Sequence, residues 1–103
     1  MLTFLFNLTV KPERDEEWRE RVGGFQRAAQ TEDDGCIAYT FYRRSDNPRE
    51  YVLFEQWRDG AAIQGHVARL QRVLGPPREG GQLPAAFVDF FEKTELVRYD
   101  VVE

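Results

Sequence analysis

The 103 residues predict an α+β fold built on a four-stranded antiparallel sheet, and three observations carry that prediction. Four segments rich in β-branched and aromatic residues are bounded by turn signals. Two longer segments repeat apolar residues at helical spacing. The order along the chain is β-α-β-β-α-(α)-β, and two helices crossing between four short strands is the ferredoxin-like split βαβ plan, with both helices on one face of the sheet. No repeat, low-complexity tract or linker interrupts residues 1–103, which read as a single domain. A chain of this mass buries roughly two thirds of its unfolded surface, enough for a core without disulfides or metal.

Each element has its own signal. Residues 2–10 (LTFLFNLTV) form the first strand, and Lys11-Pro12 stops it while placing proline in the first turn of a helix. In that helix Glu13, Asp15, Glu16 and Glu17 sit where the macrodipole favours anions, and Trp18, Val22, Phe25 and Ala29 form one apolar stripe. Gly23-Gly24 weakens the helix and predicts a close approach to the sheet, or a bend. Asp33-Asp34-Gly35 is a turn signal, followed by strands at 36–43 and 51–57 joined through SDNPRE. Asp59 caps a second helix, whose apolar positions Ile63, Val67, Leu70 and Val73/Leu74 run until Gly75-Pro76-Pro77. A short helix is expected over 84–91 with Phe87, Phe90 and Phe91 inward, then a last strand over 95–102.

Composition excludes several function classes. Fourteen Lys and Arg against 18 Asp and Glu, with no basic stripe, exclude sequence-independent nucleic-acid binding, which needs a cationic face. One cysteine and one histidine support neither an intramolecular disulfide nor a four-ligand zinc site. The N-terminal apolar run lacks a basic leader, and no stretch approaches membrane-spanning length, so a soluble, cytoplasmic protein with no membrane partner is expected. Phe4, Phe6, Leu8 and Val10 share one face of the first strand. In the third strand Val52 and Phe54 share one face, opposite Tyr51, Leu53, Glu55 and Trp57. With both faces apolar and only enough helix for one, a second copy of the chain must cover the other, which predicts a homodimer.

The stretch EQWRDGAAIQGH, Glu55 to His66, resembles the strand-to-helix junction of the antibiotic biosynthesis monooxygenase (ABM) domain family, with its Glu-x-Trp strand end and following histidine. Gly35-Cys36 ahead of Tyr39, and the Val10-Lys11-Pro12 strand exit, are similar as well, and the likeness runs over residues 2–75 in order and spacing. The resemblance implies a dimeric α/β barrel in which two sheets face each other and each protomer holds a pocket between its own sheet and helices. The scaffold hosts oxygenases, haem degraders, isomerases and proteins without known activity, so individual residues must decide. Asn7 fits the first slot of the haem-degrading branch, but His66 stands where that branch has tryptophan, and the proximal histidine slot falls near Pro76. The aromatic-polyketide oxygenases share Trp57 but carry Asn and Tyr where this chain has Leu53 and Ile63. The small quinol-oxidising members are the closer likeness. They imply a cofactor-independent monooxygenase acting with molecular oxygen on a small planar phenol or quinol, without flavin or metal. A non-catalytic ligand-binding dimer and a histidine-dependent isomerase are the alternatives.

His66 is the one side chain with an ordinary pKa near neutrality, and it shares a helix face with Ile63 and Leu70, so it is either the candidate base or a partly buried histidine bonded to a backbone carbonyl or to Glu55. Asn7, polar in an apolar strand, either bonds substrate or makes a cross-strand bond. Glu55 is expected to orient His66 or to join an ion pair, and Trp57 either to offer a stacking wall or to pack in the core at the strand end. Tyr39, Tyr51, Leu53, Ile63 and Phe25 complete the expected substrate lining, while Cys36 packs as a small hydrophobe. No phosphate loop, carboxylate dyad or nucleophile triad is present.

Overall fold

The computed structural model describes all residues, Met1–Glu103. The strands are β1 (Leu2–Val10), β2 (Cys36–Arg43), β3 (Glu50–Trp57) and β4 (Phe91–Tyr99). The helices are α1 (Asp15–Glu32), α2 (Gly60–Leu74) and the single turn α3 (Ala85–Val88), with a 3-10 turn at Pro12–Arg14 ahead of α1. All strand pairs are antiparallel in the order β2-β3-β1-β4, which is the ferredoxin-like arrangement.

Local chemistry explains the boundaries. Pro12 opens the 3-10 turn, and Asp15, Glu16 and Glu17 fill the first turn of α1 at the positive end of its dipole. The Asp59 side chain accepts the Ala62 N–H at 2.9 Å to cap α2, and Gly75, at φ 101°, ends it. Gly35 adopts φ 83° in the turn between α1 and β2, and a Cβ built there would lie 2.6 Å from the Ala62 methyl. Only glycine lets this turn press against the start of α2.

Cross-strand register sorts the residues onto two faces. Phe6 opposes Leu53, Leu8 opposes Tyr51 and Phe4 opposes Glu55, all on the face that the helices cover. Trp18 of α1 is fully buried beneath them, its ring 5.0–6.1 Å from those of Phe25, Phe41, Tyr51, Phe87, Phe90 and Phe91. The opposite face carries Leu5 against Phe54 and Val97, and Asn7 against Val52 and Glu95. Leu5, Val52, Phe54 and Val97 are half-buried there, without a covering layer. The uncovered apolar set is therefore theirs, whereas Phe4, Phe6 and Leu8 lie under the helices.

Three local expectations are corrected. The α-helix of α1 begins at Asp15, after the proline-led turn. Gly24 has no neighbour within 4 Å of a built Cβ and Gly23 meets only the Arg27 side chain, so the glycine pair marks no close approach to the sheet, and α1 runs unbroken through it. The last strand occupies Phe91–Tyr99 rather than 95–102, and the helix before it shrinks to four residues, because Phe91 pairs with Val10 across a register shift in β1. As an edge strand with mostly exposed side chains, β4 lacks the alternating burial that marks a strand in sequence. No helix is long and apolar enough to cross a membrane.

Candidate active site

A cavity of about 690 Å³ opens between the covered sheet face, α2 and the segment that follows it. Phe4, Phe6, Tyr39, Leu53, Glu55 and Trp57 supply the sheet wall. Ile63, His66 and Val67 come from one face of α2, and residues 78–83 cross the mouth toward Thr94 and Leu96 of β4. The volume and the largely apolar lining are those of a small-molecule site.

His66 is 5% exposed, and its Nδ1 lies 2.5 Å from Asp33 Oδ2. The Asp33 side chain, 2% exposed, also takes Arg69 Nε at 2.6 Å and Nη2 at 3.0 Å, a two-pronged pair. Burial works to raise the Asp33 pKa, but the hydrogen bonds and charges of Arg69 and His66 outweigh it and hold the carboxyl below its ordinary value. An ionised carboxylate only accepts, so the proton between them belongs to His66 Nδ1. Nε2 makes no hydrogen bond to the protein and keeps its lone pair for the cavity. Burial lowers the His66 pKa beneath 6.5 despite the Asp33 carboxylate, which leaves the ring neutral at pH 7. The imidazole packs against two neighbouring aromatic rings, Trp57 at 4.6 Å and Tyr39 at 5.2 Å between centroids.

Glu55 stands on the sheet wall, 9% exposed, with Oε1 accepting the Trp57 Nε1–H at 3.1 Å. Burial pushes its pKa up to about 7 against the pull of that hydrogen bond. It bonds neither His66 nor any arginine of α1, so the orienting role expected of Glu55 falls to Asp33.

The structure brings together His66, Trp57, Tyr39, Leu53, Ile63 and Glu55 around one cavity. It does not bring the others there. Asn7 is exposed on the opposite sheet face, where its Nδ2 donates to Glu95 Oε1 at 3.4 Å. Tyr51 and Phe25 pack on Trp18, at 5.7 and 5.9 Å, in the core beside the cavity. Alternation along β1 explains Asn7: it points away from the side that carries Phe6 and Leu8. Sequence reasoning missed Asp33 and Arg69. Asp33 lies 33 positions before its histidine, in an Asp-Asp-Gly run whose turn chemistry accounts for it fully. No group of three or more His, Cys, Asp and Glu side chains gathers where it could hold a metal ion.

Residues 1–72 match the sequence pattern of the family described as antibiotic biosynthesis monooxygenase. The chain belongs to the antibiotic biosynthesis monooxygenase family. Its ABM fold is shared by solved structures of low sequence identity. A Bacteroides thetaiotaomicron protein bearing the family's name superposes with a TM-score of 0.79 at 19% identity, over 99% of this chain and 90% of that one. A second antibiotic biosynthesis monooxygenase gives 0.77 at 19% over the whole of both chains, and a Mycobacterium tuberculosis protein gives 0.72 at 16% over 99% and 95%. Among curated sequences, an uncharacterized Synechocystis protein is 35% identical over 60 residues, which are 58% of this ABM chain and 40% of the relative's length.

Proposed function

We propose that this ABM protein is a cofactor-independent monooxygenase that oxidises a small planar phenol or quinol with molecular oxygen, with His66 as the base. The observation that supports the reading most directly is the Asp33–His66 pair, whose unbonded Nε2 opens onto an apolar cavity walled by Trp57. Neutral His66 takes the phenol proton at Nε2, and Asp33 stabilises the imidazolium that results. The phenolate is then electron-rich enough to reduce oxygen by one electron. Recombination of the radical pair forms a C–O bond, and the peroxide anion so formed takes the proton back from the His66 imidazolium, giving a ring hydroperoxide and a neutral His66. Loss of the ring C–H proton with cleavage of the O–O bond releases water and leaves a quinone, so one oxygen atom enters the product and one enters water. The protein supplies a base, orientation and exclusion of bulk water. The same reading includes a homodimer, in which the Leu5, Val52, Phe54 and Val97 face meets its copy.

The test is oxygen uptake with a panel of dihydroxynaphthalenes and anthrols. Wild type should consume oxygen faster than buffer alone, with a rate that rises with pH through a His66 pKa below 6.5. His66→Ala should lose that limb and about 10²–10⁴ in rate. Wild-type uptake no faster than buffer across the panel would overturn the oxygenase reading and leave a binding protein or a His66-dependent isomerase.

A further inference from the structure

Glu55 has a hydrogen-bonding capacity that the protein does not use. Its side chain projects from β3 on the covered face between Leu53 and Trp57, opposite Phe4 of β1 and Tyr39 of β2. The Trp57 indole N–H can only donate, so the Glu55 oxygen it meets, Oε1, must accept. The other oxygen, Oε2, bonds to no protein group, and it is not sealed in the interior, because Glu55 lines the cavity. No cation is committed to it. Arg69 of α2 is bound to Asp33 at the end of α1, and Arg78, beside Glu79 in the mouth segment, pairs with Asp89. The other titratable neighbours are His66, neutral at pH 7, and Tyr39 and Cys36 of β2, whose pKa values burial raises. A carboxyl buried without a cation is favoured in its neutral form, in keeping with a pKa of about 7. The carbonyl oxygen of that form faces Trp57, and the hydroxyl is then Oε2–H.

We propose that Glu55 presents a hydrogen-bond donor to the cavity and selects ligands that place a carbonyl oxygen against it. The inference rests on the His66 assignment above and extends it. His66 Nε2 offers an acceptor and Glu55 a donor, set in apolar walls, so the complementary ligand is a planar ring system with one acidic hydroxyl and one carbonyl. A neutral carboxylic acid held in an apolar site is an established way to bind a carbonyl oxygen and to stabilise the enolate that forms from it. A ligand without the carbonyl leaves Oε2–H unsatisfied, and a buried unsatisfied donor is penalised.

The experiment is equilibrium binding under nitrogen, with chromone as the carbonyl probe and naphthalene as the probe without one, between about pH 6.5 and about pH 8.5. In wild type the chromone affinity should fall about tenfold relative to naphthalene as Glu55 ionises, because a carboxylate repels the carbonyl that the acid attracts. Glu55→Gln keeps an amide oxygen for Trp57 and an amide N–H for the cavity, so its chromone preference should persist without pH dependence. Infrared difference spectra should also show a protonated-carboxyl band in wild type at neutral pH that is missing from Glu55→Gln. A chromone-to-naphthalene ratio independent of pH in wild type, an equal pH dependence in Glu55→Gln, or absence of the carboxyl band would each overturn the proposal. Oxygen plays no part in these measurements. Failure of oxygen uptake with intact chromone selection removes the oxygenase reading alone, and loss of chromone selection with normal uptake removes the Glu55 inference alone.

Discussion

Two side chains in one cavity are pushed toward neutrality from opposite directions. Burial lowers His66 and raises Glu55, and divergent environments of this kind separate a base from an acid. Asp33 fixes which histidine nitrogen is free. Asp33→Asn can turn its amide N–H₂ toward Nδ1 and move the ring proton to Nε2. Oxygen uptake should fall by about 10²–10⁴ and the low-pH limb should disappear, while ligand affinity changes little. Glu55 also makes a stability prediction. Its folded pKa of about 7 lies above the ordinary 4.5, so its contribution is fully present below pH 4.5 and is lost as pH rises through 7. Urea unfolding should show wild type losing about 3 kcal/mol relative to Glu55→Gln between about pH 4 and about pH 8. His66 has the opposite sign, its stability being lost as pH falls beneath 6.5, and it cancels in the comparison because both proteins carry it.

At the scale of elements, the site depends on how three segments meet. The turn after α1 brings Asp33 to α2, the third strand carries Glu55 and Trp57, and the segment after α2 crosses the mouth. Gly35 is the hinge of the first meeting. The Arg58 N–H donates to the Gly35 carbonyl at 2.9 Å, and the Cys36 N–H to that of Asp33 at 3.2 Å. Gly35→Ala adds a methyl 2.6 Å from the Ala62 side chain on a backbone with positive φ, so the turn must move and take Asp33 with it. The variant should lose about 1–3 kcal/mol of stability, and its His66 pH limb should shift. An unshifted limb would show that Asp33 is held without the glycine. The mouth segment is pinned at its base by a bridge between Pro77 and Pro84 and by the Gln71 side chain, which donates to the Gln82 carbonyl at 2.7 Å.

For the whole molecule, the uncovered sheet face sets the expectation. Leu5 and Phe54, directly opposite each other at its centre, have no layer above them, and Tyr42 and Tyr99 lie exposed on the same side. Sedimentation at micromolar concentration should give twice the mass of the 12.1 kDa chain. Phe54→Asp should shift that mass to the monomer or unfold the protein, because a charge in such an interface loses its solvation. A wild-type monomer stable at high concentration would refute the assembly.

The periodicities in the sequence determined the architecture. Trp18, Val22, Phe25 and Ala29 fix the buried stripe of α1, Asp59 and Gly75 bound α2, and alternation along β1 and β3 sets two sheet faces, all through interactions within a few residues. The resemblance at Glu55, Trp57 and His66 located the cavity wall, since those residues sit on contiguous elements and share a side. The tertiary structure decided what separate segments do to one another. It gave His66 its partner in Asp33, moved Asn7 to the far face, placed Tyr51 and Phe25 against Trp18, and started β4 at Phe91. The reason is range: caps and periodicity are local signals, whereas an ion pair across 33 residues or an edge strand paired at its register leaves no spacing to read.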